Sequence, residues 1–360
     1  MSGFDPVELA GLAHDLVAIP SVTGDEAAIV QQTEARLGAL PHVRIERIGL
    51  SLVARAGADD ADALVLVGHL DTVPPWDGHT VTLSGTRVTG RGAADMKGGD
   101  AAIIAVLEAC AHAARPLVVV LYDGEEGGHA GNGIHRVLAE SRLLGRPPFA
   151  FVAEPTACTV HAGCVGVVNA DVVFTGRTAH SARPWEGENA ITAAAPFLAR
   201  AAAATTRAVE VDGLRFFDTL AVTGARGGVA RNMVPDRFEV SVNVRIAPGR
   251  DLAVARRELE ALAGQAAEVR FVDEAPPAPP ALSDPTLQAF LAQTGVDVHP
   301  KQAWTDVATL SQAGIPAVNY GPGDPAQAHQ PGEWVDGTAI AEVATRLLRF
   351  IEGRTPTAAA

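Results

Sequence analysis

Residues 63–74, ALVLVGHLDTVP, run five apolar residues straight into a glycine and then place His69 and Asp71 two positions apart. A short unbroken apolar run reads as a strand buried on both faces, as in a parallel sheet covered by helices. The same form recurs twice: PLVVVLY (116–122) leads into DGEEGG, with Glu125 and Glu126 adjacent, and FAFVA (149–153) leads to Glu154. Helical spacing separates these strands, at about 6–19 up to Pro20, 24–40 and 100–114. Strands alternating with helices predict an α/β fold, a mixed, largely parallel sheet with helices on both faces.

Outward from this core the pattern changes near residue 163 and again near 275. RFEVSVNVRIAPG (237–249) alternates Phe238, Val240, Val242, Val244 and Ile246 with Glu239, Ser241, Asn243 and Arg245. Such alternation is that of an antiparallel strand with one wet face. With VGVVNADVVFTG (165–176) and helices near 188–204 and 251–268 it predicts a compact α+β unit. The Pro-rich stretch 275–285 reads as a stiff linker back to the first domain, where GIPAVNYGPG (314–323) adds a core strand and a last helix covers about 336–352. The expected division is therefore 1–163 with 276–360 as the large domain and 164–275 as an insertion.

A net charge of −14 and pI near 5.2 argue against binding to a phosphate backbone, which needs a basic face, so nucleic acid is not the expected partner. The apolar runs are of strand length, so no membrane span is expected, and the N-terminus lacks the pattern of a signal peptide. Three cysteines, Cys110, Cys158 and Cys164, make no C-x-x-C pair and fit a reducing, cytoplasmic compartment.

The acidic and histidine residues fall after the apolar strands, at the edge where open α/β sheets bind ligands. Asp95 lies in the Gly-rich GRGAADMKGGD (90–100) before a helix, and His329 in PAQAHQPGEW (325–334) beyond the final strand. Each has a plain alternative as a solvated loop residue; their joint placement points instead to metal. Two imidazoles and three carboxylates, with no thiolate, suit Zn²⁺, Co²⁺ or Mn²⁺ rather than a closed structural zinc site. His69 and Asp71, two apart in an extended segment, suit a ligand held by a carboxylate behind it.

GHLDTVP, GRGAADMKGG, YDGEEGG, AEPT, GRTAHSA and AHQPGE resemble, in order and spacing over nearly the whole chain, the di-zinc aminoacylase and carboxypeptidase family. GCVGVV, HSARPWEGENAI, RNMVPD, KQAWTDVA and NYGPGDPAQAH look most like its succinyl-diaminopimelate desuccinylases of actinobacterial type. The resemblance implies a zinc-peptidase-like catalytic domain with a ferredoxin-like insertion serving as lid and dimerisation domain. It implies two divalent ions, one on His69 and Glu154, the other on Glu126 and His329, with Asp95 bridging. It also implies a cis Asp95–Met96 peptide, Asp71 orienting His69, Glu125 as general base, and His180 as an oxyanion donor reaching the partner subunit of a homodimer. Glu125 would take a proton from the attacking water and pass it to the departing amine.

For an anionic N-acyl amino acid the candidate partners are Arg183, Arg231 and Arg245, which can bind carboxylates bidentately, and Asn232 as an amide donor. Asn232 and Arg245 match substrate-contacting positions of the family. The similarity departs at one place: in the desuccinylases the WTDVA motif is followed by an arginine that helps bind substrate, whereas here it is Thr309. The expected reaction is release of succinate from N-succinyl-LL-2,6-diaminopimelate, on the route to lysine. The alternative is an acetylornithine-type or acetylcitrulline-type deacetylase or a dipeptidase. A non-catalytic binding protein is the third reading, against which the intact ligand set argues.

Overall fold

The computed structural model describes residues 3–58, 63–111, 115–265 and 267–353, which divide into two compact units. The first comprises 1–163, 281–299 and 305–360; the second comprises 164–280 and 300–304.

In the first unit the apolar runs are strands, Leu64–His69, Leu117–Tyr122, Ala150–Val152 and Ala317–Asn319, every residue of them buried. They pair in parallel, in the order 117–122, 64–69, 150–152, 317–319, at the centre of an eight-stranded sheet. The sheet is thus mixed, parallel at its centre and antiparallel toward its edges, and helices cover it. Among these, Pro6–Val17, Gly98–Ala109 and Gly337–Ile351 pack on one another. The helix expected over 100–114 starts two residues earlier and stops at Ala109; residues 112–114 lie outside the described ones. A hairpin, Val43–Ile48 and Ser51–Ala56, forms one edge of the sheet antiparallel to Leu117–Tyr122. Exposed Arg44 and Arg47 mask its apolar rhythm in the sequence.

The second unit is a βαββαβ arrangement. Its main strands are Gly166–Thr175, Leu214–Gly227, Arg237–Ile246 and Ala267–Ala275. Numbered along the chain they lie in the antiparallel order second, third, first, fourth, with Arg207–Val211 added at one edge. This is the ferredoxin-like topology. Phe238, Val240 and Val242 meet Ala170, Val172 and Phe174 and the helix residues Phe197 and Leu259 in one core. The opposite face is laced by polar pairs, Asn243 to Asn169 at 2.7 Å and Ser241 to Asp171 at 2.7 Å.

The helix expected over 251–268 is shorter, Leu252–Ala263, because Gly264 at φ 81° ends it and the chain turns into a strand. Residues 300–304 join this unit through Gln302, whose amide accepts from Phe217 N at 3.3 Å and donates to Arg215 O at 2.9 Å. No helix among the described residues is long and apolar enough to cross a membrane.

Candidate metal centre and active site

The parallel strands of the first unit all point their carboxyl ends at one place. His69 is the last residue of its strand, Glu125 and Glu126 follow Tyr122 by a short turn, and Glu154 lies just beyond the strand ending at Val152, with Ala153 between them. Two further candidate donors come from turns. Asp95 sits in the five-residue segment Ala93–Lys97 with extended backbone (φ −121°, ψ 94°), and its peptide to Met96 is cis. His329 has a left-handed backbone, φ 62°.

His69 is fully buried, and its Nε2 has no hydrogen-bond partner among the described residues. A buried, unsatisfied ring nitrogen costs free energy unless something else occupies its lone pair or takes its proton. What surrounds it is acidic. Asp95 Oδ1 lies at 3.4 Å and Glu154 Oε1 at 3.8 Å. The other oxygen of the same carboxylate, Asp95 Oδ2, lies 3.6 Å from His329 Nε2, which is itself 3.0 Å from Glu126 Oε1. One carboxylate therefore shares its two oxygens between two His/Glu pairs. Donors around a tetrahedral zinc at about 2.0–2.2 Å stand roughly 3.3–3.6 Å apart. The spacings here are close to that, and one ligand atom from each of His69, Asp95 and Glu126 lies within 4.8 Å of the others. The residues present fit a divalent metal ion.

The electrostatics agree. Burial opposes charge on His69, but Asp71, Asp95 and Glu125 outweigh it and hold the imidazole well above its ordinary value. His329 is raised by its contact with Glu126. Glu125 is pushed well above the usual carboxylate range by burial and by Glu154, Asp306 and Glu126, with His69 opposing. A site that pulls protons so strongly onto its own side chains also attracts a cation.

Behind these residues lies Asp71, expected to orient His69, with its carboxylate buried. His69 Nδ1 makes its closer contact, 3.0 Å, with the Asp71 backbone carbonyl, while the carboxylate is 3.5 Å away. That carboxylate instead accepts the N–H groups of Glu125 and Glu126, both at 3.0 Å, and the Thr23 hydroxyl at 2.8 Å. Asp306 is buried and accepts at 2.6 Å from each of Tyr122 Oη, Asn132 Nδ2 and Thr309 Oγ1. Thr309 is thus a buried hydroxyl committed to its own helix turn.

His180, Arg183, Arg231, Asn232 and Arg245 all belong to the second unit. His180 is exposed on a two-residue strand paired with Met233–Val234, and its Nδ1 accepts from Ala182 N at 3.1 Å. Asn232 is next to this ribbon, its carbonyl accepting from Ser181 N at 2.9 Å. Arg183 pairs loosely with Glu186 at 3.6 Å, and Arg231 is exposed. Arg245 is partly buried and donates to Asn243 Oδ1 at 3.0 Å.

Sequence reasoning overlooked Arg91 and Glu333. Glu333 stands four residues after His329 in QPGEW, but nothing local tells a buried acid there from a solvated one.

The signature of peptidase family M20/M25/M40 matches residues 65–353. A Mycobacterium tuberculosis protein provisionally named succinyl-diaminopimelate desuccinylase DapE is 37% identical over 351 residues, covering 97% of this chain and 98% of that protein. The succinyl-diaminopimelate desuccinylase of Corynebacterium glutamicum is 33% identical, with 96% of each chain covered. Among solved structures, an M20 family metallo-carboxypeptidase from Sulfolobus solfataricus superposes with a TM-score of 0.78 at 15% identity, covering 97% of this chain and 99% of that one. The chain belongs to peptidase family M20/M25/M40 and is a hydrolase acting on amide bonds.

Proposed function

We propose that this protein is a cytoplasmic, two-metal desuccinylase that hydrolyses N-succinyl-LL-2,6-diaminopimelate to succinate and LL-2,6-diaminopimelate. The observation that carries the two-metal part is Asp95, whose Oδ1 lies 3.4 Å from His69, itself beside Glu154, while Oδ2 lies 3.6 Å from His329, itself beside Glu126. His69 and Glu154 would hold one ion, Glu126 and His329 the other, and Asp95 both. Zn²⁺ suits the set, with Co²⁺ or Mn²⁺ as substitutes. When bound, such ions lower the pKa of water toward about 7 and polarise a carbonyl.

Glu125 is the general base in this reading. Its neighbour Glu126 is a ligand while Glu125 is not, and Asp71 fixes the turn that carries both. It accepts a proton from the attacking water and returns it to the departing amine. Substrate carboxylates would be met by Arg183, Arg231 and Arg245, with Asn232 donating from its amide. His180 would donate to the oxyanion from a partner subunit, in a homodimer formed through the second unit.

The substrate rests on the two relatives named for it, at 37% and 33% identity over nearly full length. Thr309 bears on the acyl group, because a buried hydroxyl supplies no cation for a succinyl carboxylate. The test is a panel at neutral pH with added Zn²⁺, scoring amine release from succinyl-diaminopimelate, acetylornithine, acetylcitrulline and several dipeptides. Preference for the succinyl compound supports the proposal. Preference for an acetylated amino acid or a dipeptide would overturn the substrate and leave the metal chemistry standing.

A further inference from the structure

Three of the five proposed ligands, His69, Glu126 and Glu154, hang from the ends of sheet strands or from the short turns that follow them. Asp95 and His329 have no such support, since both lie in turns of irregular backbone. A turn alone does not hold a side chain to the few tenths of an ångström that a metal requires, so something else must join these two.

The joint is a buried ion pair. Glu333 is fully buried and Arg91 is 8% exposed, and Arg91 Nη1 donates to Glu333 Oε2 at 2.8 Å. The other carboxylate oxygen, Oε1, accepts two backbone N–H groups, those of Ala94 and Asp95, both at 3.0 Å. The guanidinium uses its remaining arms on carbonyls: Nη2 to His329 O at 3.3 Å and Nε to Pro74 O at 3.3 Å. Glu333 itself is fixed by its own carbonyl, which accepts from Gly90 N at 2.9 Å, and by the strand Trp334–Asp336 that follows it and pairs with Arg87–Thr89. The backbone of Asp95 is therefore linked through one carboxylate and one guanidinium to the backbone of His329.

Lone buried ion pairs add little net stability, because desolvation offsets their attraction. This pair spends its hydrogen bonds on the two turns that bear the unsupported donors. We propose that Arg91 and Glu333 are positioning residues that set the spacing between Asp95 and His329 and so tune metal affinity. The inference rests on the reading that Asp95 and His329 are metal ligands.

The experiment measures Zn²⁺ affinity of the full chain by competition with a chromophoric chelator, and the Co²⁺ absorption spectrum, for wild type, Glu333→Gln, Arg91→Lys and Asp95→Ala. A glutamine at 333 can accept from the two N–H groups or from Arg91, not both. A lysine at 91 keeps the charge but lacks the planar fork that serves Glu333 and two carbonyls together. Glu333→Gln and Arg91→Lys should each weaken Zn²⁺ binding on the order of 10- to 100-fold while folded, as removal of a partner behind a ligand does. The Co²⁺ bands should shift as well. A role confined to stability would instead lower Tm and leave the affinity and bands of the folded protein unchanged, and that result overturns the proposal. Should Glu333→Gln not fold, Arg91→Lys decides alone, with wild-type affinity counting as refutation. If wild type binds Zn²⁺ no better than Asp95→Ala, the metal reading itself fails, and this inference with it.

Discussion

The Asp71 carboxylate accepts the backbone N–H of Glu126 at 3.0 Å, and with its other oxygen that of Glu125 at the same distance. A single buried acid thus sets the direction in which the proposed base and a proposed ligand leave the main chain. Asp71→Asn keeps the shape but turns one acceptor into a donor aimed at an N–H. The expected result is a fall in kcat of about 10- to 100-fold with KM little changed. Steady-state kinetics alongside metal analysis checks this, and an unchanged kcat would show that the turn holds itself.

Glu125→Ala should lose about 10²- to 10⁴-fold or more in turnover while retaining its metal, because the side chain is assigned to proton transfer and not to ligation. The same variant tests the partner-subunit role of His180. Mixed with a His180→Ala chain it should regain part of the activity, because one of the two sites in a mixed dimer would carry both groups. Proven mixed dimers without any recovery would overturn the partner-subunit role of His180.

In the metal-free protein His69 and His329 are both held above the ordinary imidazole pKa of about 6.5. A ligating imidazole must give up its proton, so each ion that enters displaces protons. Apparent metal affinity should rise with pH through 6.5 and beyond, and level once both rings are neutral. The stability that these charged contacts give the metal-free protein runs the other way: present below about pH 6.5 and lost as pH rises through the raised values. Calorimetry in two buffers of different ionisation heat should show more protons released per metal near pH 6 than near pH 9. Equal affinity and no proton release at both would contradict the assignment.

Gly321 lies against the chain that carries Glu154. A methyl group there would overlap the Ala153 carbonyl oxygen and stand 2.5 Å from that of Glu154. Backbone cannot swing aside as a side chain can, so Gly321→Ala should cost about 1–3 kcal/mol by overpacking and displace Glu154. Chemical denaturation and metal titration together check this. A fully stable variant with unaltered metal binding would mean that the segment yields.

The strand ends carrying His69, Glu125, Glu126 and Glu154 were legible because buried parallel strands write themselves as unbroken apolar runs, and the residue after such a run can only emerge at the sheet's edge. The alternation of Phe238 to Ile246 was legible for the same local reason. The strand Leu214–Gly227 was not, since beyond Leu220 it is largely exposed and has no apolar rhythm.

Thr309 shows the limit of reading position by position: its sequence context suggests a missing substrate contact, while its hydroxyl is spent on Asp306. The Arg91–Glu333 pair, 242 residues apart, and the Asp71 contacts, 54 and 55 residues apart, leave no trace in either neighbourhood. The buried apolar runs and the chemistry at their ends could be read locally, because periodicity and turn chemistry act over a few residues, whereas exposed strands such as Leu214–Gly227 could not. Which acid holds which turn followed from the packed fold alone, because a hydrogen bond between distant segments depends on the packing that brings them within about 3 Å.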